Sequence, residues 1–140
     1  MPAALIVALV FTVILMVITA YFLMGSVPLM ILKHDTPLDA RFVRGFFNTY
    51  YVAATYAAGA TSLSYAVAGR FVFSAGAAGL VVLTIFLRRS VMQRMDSLRA
   101  ELHADAASAI AAFRRTHLAA ILANLAQLAV IVWSLVALPL

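Results

Sequence analysis

His117, Asn124 and Gln127 are the side chains with the most chemistry in this sequence for where they stand. They are seven and three residues apart, so an α-helix turns all three the same way. Residues 118–140 carry no charge, so this face is polar within an apolar rod. An imidazole exchanges a proton near neutrality, and a carboxamide orients a carbonyl or hydroxyl. His117 is therefore a candidate general base, with Asn124 or Tyr56 orienting a substrate. The other reading is purely architectural. Amides in an apolar helix must find partners on its neighbours, at about 0.6–2 kcal/mol per contact.

A second polar face lies between Gly45 and Gly69. Asn48, Tyr51, Thr55, Gly59 and Ser62 recur at steps of three or four and share one side of a helix. Together the two faces define a candidate ligand pocket of Asn48, Tyr51, Thr55, Tyr56, His117, Asn124 and Gln127. Tyr50 and Tyr51 fall within two turns of the helix start, where aromatic belts sit. Tyr56 falls deeper and is the better pocket candidate.

Other chemistry is sparser. His34 and His117 are a possible pair of haem ligands, but neither falls mid-segment, and the expectation for His34, His103 and His117 is an interfacial, solvated position. Their spacing matches no metal motif, so no metal site is expected. The chain has no cysteine, which excludes disulfides, thiolate metal sites and cysteine nucleophiles. It contains no phosphate loop, dinucleotide fingerprint or serine elbow. The pairs Arg88/Arg89 and Arg114/Arg115 read first as topology anchors and second as phosphate ligands.

These residues need a scaffold, and composition names its solvent. Of 140 residues, 66% are hydrophobic and 11% charged, against roughly half and a quarter in soluble domains. Lipid is the medium that accommodates such a balance. The net charge of +5 lies beside apolar segments, which points to anionic lipid rather than nucleic acid.

A crossing helix needs about 20 apolar residues, and four segments qualify. The first is 2–31, with a kink near 24–28 because Pro28 cannot donate to Met24. It lacks the basic start and short core of a signal peptide. A loop over 33–44 follows, in which Asp39 caps a short turn. The second crossing is 45–68. The third is 71–102, including an extension into the cytoplasm on an apolar stripe of Val91, Met95, Leu98 and Leu102. A turn at His103, Ala104 and Asp105, with Asp105 as N-cap, leads to the fourth, 105–138, which Pro139 stops. Ile110 and Phe113 are expected to pack on the stripe. The expected fold is all-α: an integral membrane four-helix bundle of two hairpins, with helices three and four extended into the cytoplasm.

Nine of ten Lys and Arg residues fall in the first and third connections, leaving Arg70 in the second. The positive-inside rule then puts both Arg-rich connections in the cytoplasm and both termini outside, in a membrane of the bacterial inner type.

The run Phe113, Arg114, Arg115, Thr116, His117, followed by Asn124 and Leu125, resembles the opening of the last helix in small four-helix membrane proteins of the anthrone-oxygenase-like family and a related transmembrane family. Gly25, Ser26, Val27, Pro28 and the exit Asp96, Ser97, Leu98, Arg99 are similar in kind. The resemblance implies a four-helix bundle and cofactor-free oxidation of a polycyclic phenolic substrate, with His117 and Asn124 as the matching polar residues. Three functions are expected. The first is a non-enzymatic accessory subunit of a larger membrane complex, or a hydrophobic small-molecule binder, alone or as a homo-oligomer. The second is the cofactor-free oxygenase, and the third a small haem protein.

Overall fold

The computed structural model describes residues 3–101 and 106–138. Its elements are α1 (Ala3–Ser26), a 3-10 turn (Pro28–Ile31), α2 (Pro37–Val67), α3 (Phe71–Glu101) and α4 (Ala106–Ala137), with no strand among the described residues. The expected turn at His103–Asp105, the Asp105 cap, Leu102 and the Pro139 stop lie outside the described residues.

Three stretches are long and apolar enough to cross a membrane: Ala3–Ile31, Phe71–Glu101 and Ala107–Ala137. α2 is as long but too rich in Asn, Thr, Ser and Tyr to join them on hydropathy alone. Much of that polarity is turned onto neighbouring helices.

Local chemistry sets the helix ends. The first α-helix ends at Ser26, and the stretch continues to Ile31 as a 3-10 turn at the place of the expected kink. Pro28 has no N–H, and Met30 N–H and Leu32 N–H reach back only to the Val27 and Leu29 carbonyls, the tighter 3-10 pattern. The loop expected over 33–44 is mostly helix. Thr36 is extended, as a residue before proline should be, and its hydroxyl accepts from Asp39 N–H at 3.2 Å with Pro37 opening the helix. Asp39 thus sits inside the first turn, and Thr36 is the cap. α2 closes on Gly69 at φ 71°, with Arg70 N–H bonded to the Tyr65 carbonyl at 2.9 Å. That is a Schellman end, which requires the left-handed backbone glycine allows freely.

The helices neighbour one another in ring order, α1–α2, α2–α3, α3–α4 and α4–α1. α2 and α4 are diagonal and run in the same direction, so they meet only through long side chains crossing the interior. α2 and α3 are antiparallel and stitched along their length. Ser62 and Ser74 each donate to the other's carbonyl at 2.9 Å, Arg88 Nε donates to Asn48 Oδ1 at 3.0 Å, and Arg44 forms a two-pronged ion pair with Asp96.

The main core is Leu15, Val43, Phe47, Tyr50, Tyr51, Met92, Met95, Leu98, Phe113, Ile121 and Ile131, with alanines filling between. Met95, Leu98, Phe113 and Ile110 meet as the stripe predicted. At the opposite end a smaller cluster joins Leu5, Ala8, Tyr65 and Leu138. The outer surface is apolar too, with Val10, Val17, Leu63, Val72, Val82, Phe86, Trp133 and Val136 all well exposed.

Candidate functional site

The site begins with a proline. In an α-helix the Ser26 carbonyl would be taken by Met30 N–H, but the 3-10 turn that Pro28 imposes sends that N–H to Val27. The freed Ser26 carbonyl points inward and lies 3.2 Å from His117 Nε2. Past the turn, His34 adopts φ 59°, a left-handed backbone in which histidine is enriched several-fold among non-glycine residues. That conformation turns its ring inward, and His34 Nε2 lies 3.1 Å from His117 Nδ1. Both rings are fully buried. Phe113 packs on His34, and Phe47 meets His117 edge-on.

The bonding determines the tautomers. A carbonyl only accepts, so His117 Nε2–H donates to Ser26. Neutral His117 then has an acceptor at Nδ1, and His34 Nε2–H donates to it. His34 Nδ1 is left as the lone pair of the relay, without a hydrogen bond of ordinary geometry. Protonating His117 would set two N–H groups face to face, so an added proton goes to His34 Nδ1.

Burial, and then the nearby Arg114 charge, hold the His34 pKa below its ordinary 6.5, while the Leu32 carbonyl, Asp39 and Asp35 pull weakly the other way. The unfolded chain therefore binds more protons just below that value. Stability from His34 is complete above about pH 6.5 and falls as pH drops toward the depressed folded value. The melting temperature in detergent is expected to be lower at about pH 5 than at about pH 7.5. His34→Asn, which tolerates the left-handed backbone, should flatten that dependence.

Deeper in the bundle a second polar layer crosses the diagonal. Tyr50 O–H donates to Gln127 Oε1 at 2.9 Å, and Gln127 Nε2 donates to Thr84 Oγ1 at 3.2 Å. Between the two layers stand Tyr51 and Asn124, both fully buried. Tyr51 Oη and both amide atoms of Asn124 have no hydrogen-bond partner.

The structure thus brings together His117, Asn124, Gln127 and Tyr51 from the expected pocket and separates the rest. Asn48 is turned to Arg88 on α3, and Thr55 bonds the carbonyl of its own helix at Tyr51. Tyr56 is 77% exposed, whereas Tyr50 and Tyr51 are buried, the reverse of the belt reading. The reason is angular: at about 100° per residue, Tyr56 lies about 120–140° around the helix from them. The histidines differ from expectation as well. His34 and His117 are not solvated, and His103 lies outside the described residues. A metal ion held in line between two imidazoles sits about 2 Å from each nitrogen and needs about 4 Å. At 3.1 Å the two nitrogens are a hydrogen-bonded pair. No group of three or more His, Cys, Asp or Glu among the described residues is placed to hold a metal.

One turn beyond the Gln127 layer the bundle opens. A cavity of about 140 Å³ is lined from all four helices, by Thr12, Thr61, Ala77, Leu80, Ile131 and Trp133 among others. Val72 and Trp133 are exposed at its rim, so its mouth lies between α3 and α4. Thr12 and Tyr65 put two hydroxyls into its wall, 3.1 Å apart. The Thr12 proton goes to the Ala8 carbonyl at 2.8 Å, so the Tyr65 phenol is the donor to Thr12 Oγ1. Nothing in the spacing of Gly76 and Ala77 announces this cavity; it exists because small residues on α3 face Thr12 and Thr61. The chain matches no family model, no curated protein and no solved structure.

Proposed function

We propose that this chain is an integral membrane protein of four crossings that binds a small lipophilic molecule entering sideways from the bilayer. The observation carrying the proposal is the cavity between α3 and α4, open at Val72 and Trp133. The membrane reading rests on the exposed apolar surface, far larger than a soluble monomer presents. It rests also on α2, where Asn48, Tyr50, Ser62 and Tyr65 bond to neighbouring helices and Thr49, Thr55 and Thr61 to their own backbone, as hydrocarbon favours. Positive-inside bias puts the Arg-rich end in the cytoplasm and the cavity in the outer half.

The volume selects the ligand. An apolar cavity of about 150 Å³ takes a benzene-sized guest, so a single ring fits here and a polycyclic one does not. With both protons already donated, the hydroxyl pair of Tyr65 and Thr12 offers lone pairs and suits the O–H of a phenol. The oxygenase reading is less well supported. His117 is walled in by Phe47, His34 and the Ser26 carbonyl, and none of the lining residues of the cavity is a histidine.

Trp133, the single tryptophan of the chain, reports directly on the rim. Titrating 4-methylphenol into detergent-solubilised protein is expected to change Trp133 emission saturably. Ala77→Leu, which fills the cavity from a buried position, is expected to weaken that binding at least about tenfold, the equivalent of about 1.4 kcal/mol. An unchanged titration in the filled variant would overturn the assignment.

A further inference from the structure

On the outer face of the α2–α3 pair, remote from the cavity, a groove of about 470 Å³ is lined by Val52, Thr55, Tyr56, Ile85, Arg88 and Arg89. The floor is set by helix direction. α2 runs inward from its cytoplasmic start, so the Tyr56 side chain, which leans toward its own N-terminus, rises toward the cytoplasmic border. α3 runs the opposite way, and by the same rule the Cα–Cβ bonds of Arg88 and Arg89 tilt away from the cytoplasmic border. Tyr56 from one helix and Arg88 and Arg89 from the other line the same groove. Arg88 is held in place by the bond from its Nε to Asn48 Oδ1, which leaves its terminal nitrogens to donate outward. Val52 and Ile85 supply an apolar wall beside them.

Two guanidiniums held beside an apolar wall at the membrane border are costly unless an anion meets them. Arginine recognises phosphate through paired donors at fixed geometry. The groove is open to the side, where acyl chains lie. We propose that this groove is a binding site for the phosphate of an anionic phospholipid, with Arg88 and Arg89 on the phosphate, the Tyr56 hydroxyl as a third donor, and Val52 and Ile85 against the acyl chain. The proposal rests on the membrane crossing proposed above but not on the cavity.

The test is native mass spectrometry of the full chain in detergent, titrated with phosphatidylglycerol and, separately, phosphatidylcholine. Retention of phosphatidylglycerol over phosphatidylcholine is expected, with a loss of about tenfold or more in apparent affinity for R88Q/R89Q. R88K/R89K, which keeps the charge but not the paired donors, should lose several-fold, and Y56F less. R94Q/R99Q removes the same charge further along α3 and should leave retention unchanged. An equal loss in that control, or equal retention of the two lipids, would overturn the site in favour of diffuse attraction. Displacement of the lipid by millimolar inorganic phosphate would overturn it in favour of a free-phosphate site. Extraction of the chain into aqueous buffer without detergent would remove the membrane premise itself, an outcome distinct from all of these.

Discussion

His117→Ala is expected to cost about 3–5 kcal/mol of folding stability, the largest effect of any single polar substitution in the bundle. The imidazole is fully buried and makes two hydrogen bonds. Its removal leaves His34 Nε2–H and the Ser26 carbonyl without partners and opens a ring-sized void beside Phe47. Each orphaned group costs about 1–3 kcal/mol, and partial collapse of the void offsets some of the sum. His117→Asn offers an acceptor to His34 and leaves only the Ser26 carbonyl unpaired, so it should recover roughly half of the loss. Thermal unfolding in detergent measures both. A loss below about 1 kcal/mol for the alanine variant would mean that water reaches the pair, contrary to its burial.

Asn124→Leu carries the opposite sign. Asparagine and leucine have similar shapes, but all of the amide's hydrogen-bonding capacity here is unmet in a site with no exposure. Replacing it with a hydrocarbon is expected to raise stability by about 1–3 kcal/mol, since a desolvated polar group is exchanged for apolar contact. Tyr51→Phe should act in the same direction by a smaller amount. The two sites adjoin one layer of the interior, so their effects need not add. A fall in melting temperature for Asn124→Leu would show instead that the amide is hydrogen-bonded to a bound water or ligand. The polar layer would then be a second binding site inside the bundle.

The contrast between these two residues shows how much the sequence discloses. That His117, Asn124 and Gln127 share a face follows from helical repeat alone, and all three are buried. Which of them has a partner does not follow. Gln127 reaches Tyr50 and Thr84, residues 77 and 43 positions away in the chain, while Asn124, one turn earlier, reaches nothing. On α2 the period was also legible, but its phase was not. The helix contacts α1 on one side and α3 on another, so its polar stripe of Asn48 and Ser62 serves α3 and its aromatic stripe of Tyr50 and Tyr51 serves the interior. Periodicity reports that a face exists, and only the neighbours decide what it faces.

By itself the sequence determined four long helices and the apolar surface they share, while the start of the second helix and its Thr36 cap differ from the local reading. The helices and that surface depend on runs of residue types and on proline, glycine and threonine at particular points, all of them local. Tertiary structure alone decided that the helix broken by Pro28 presents a free carbonyl to His117, that His34 swings in to complete the relay, and that α3 and α4 part around a cavity. Each of these joins groups far apart in the chain, and their meeting depends on angles set by packing across the whole bundle, which no local pattern records.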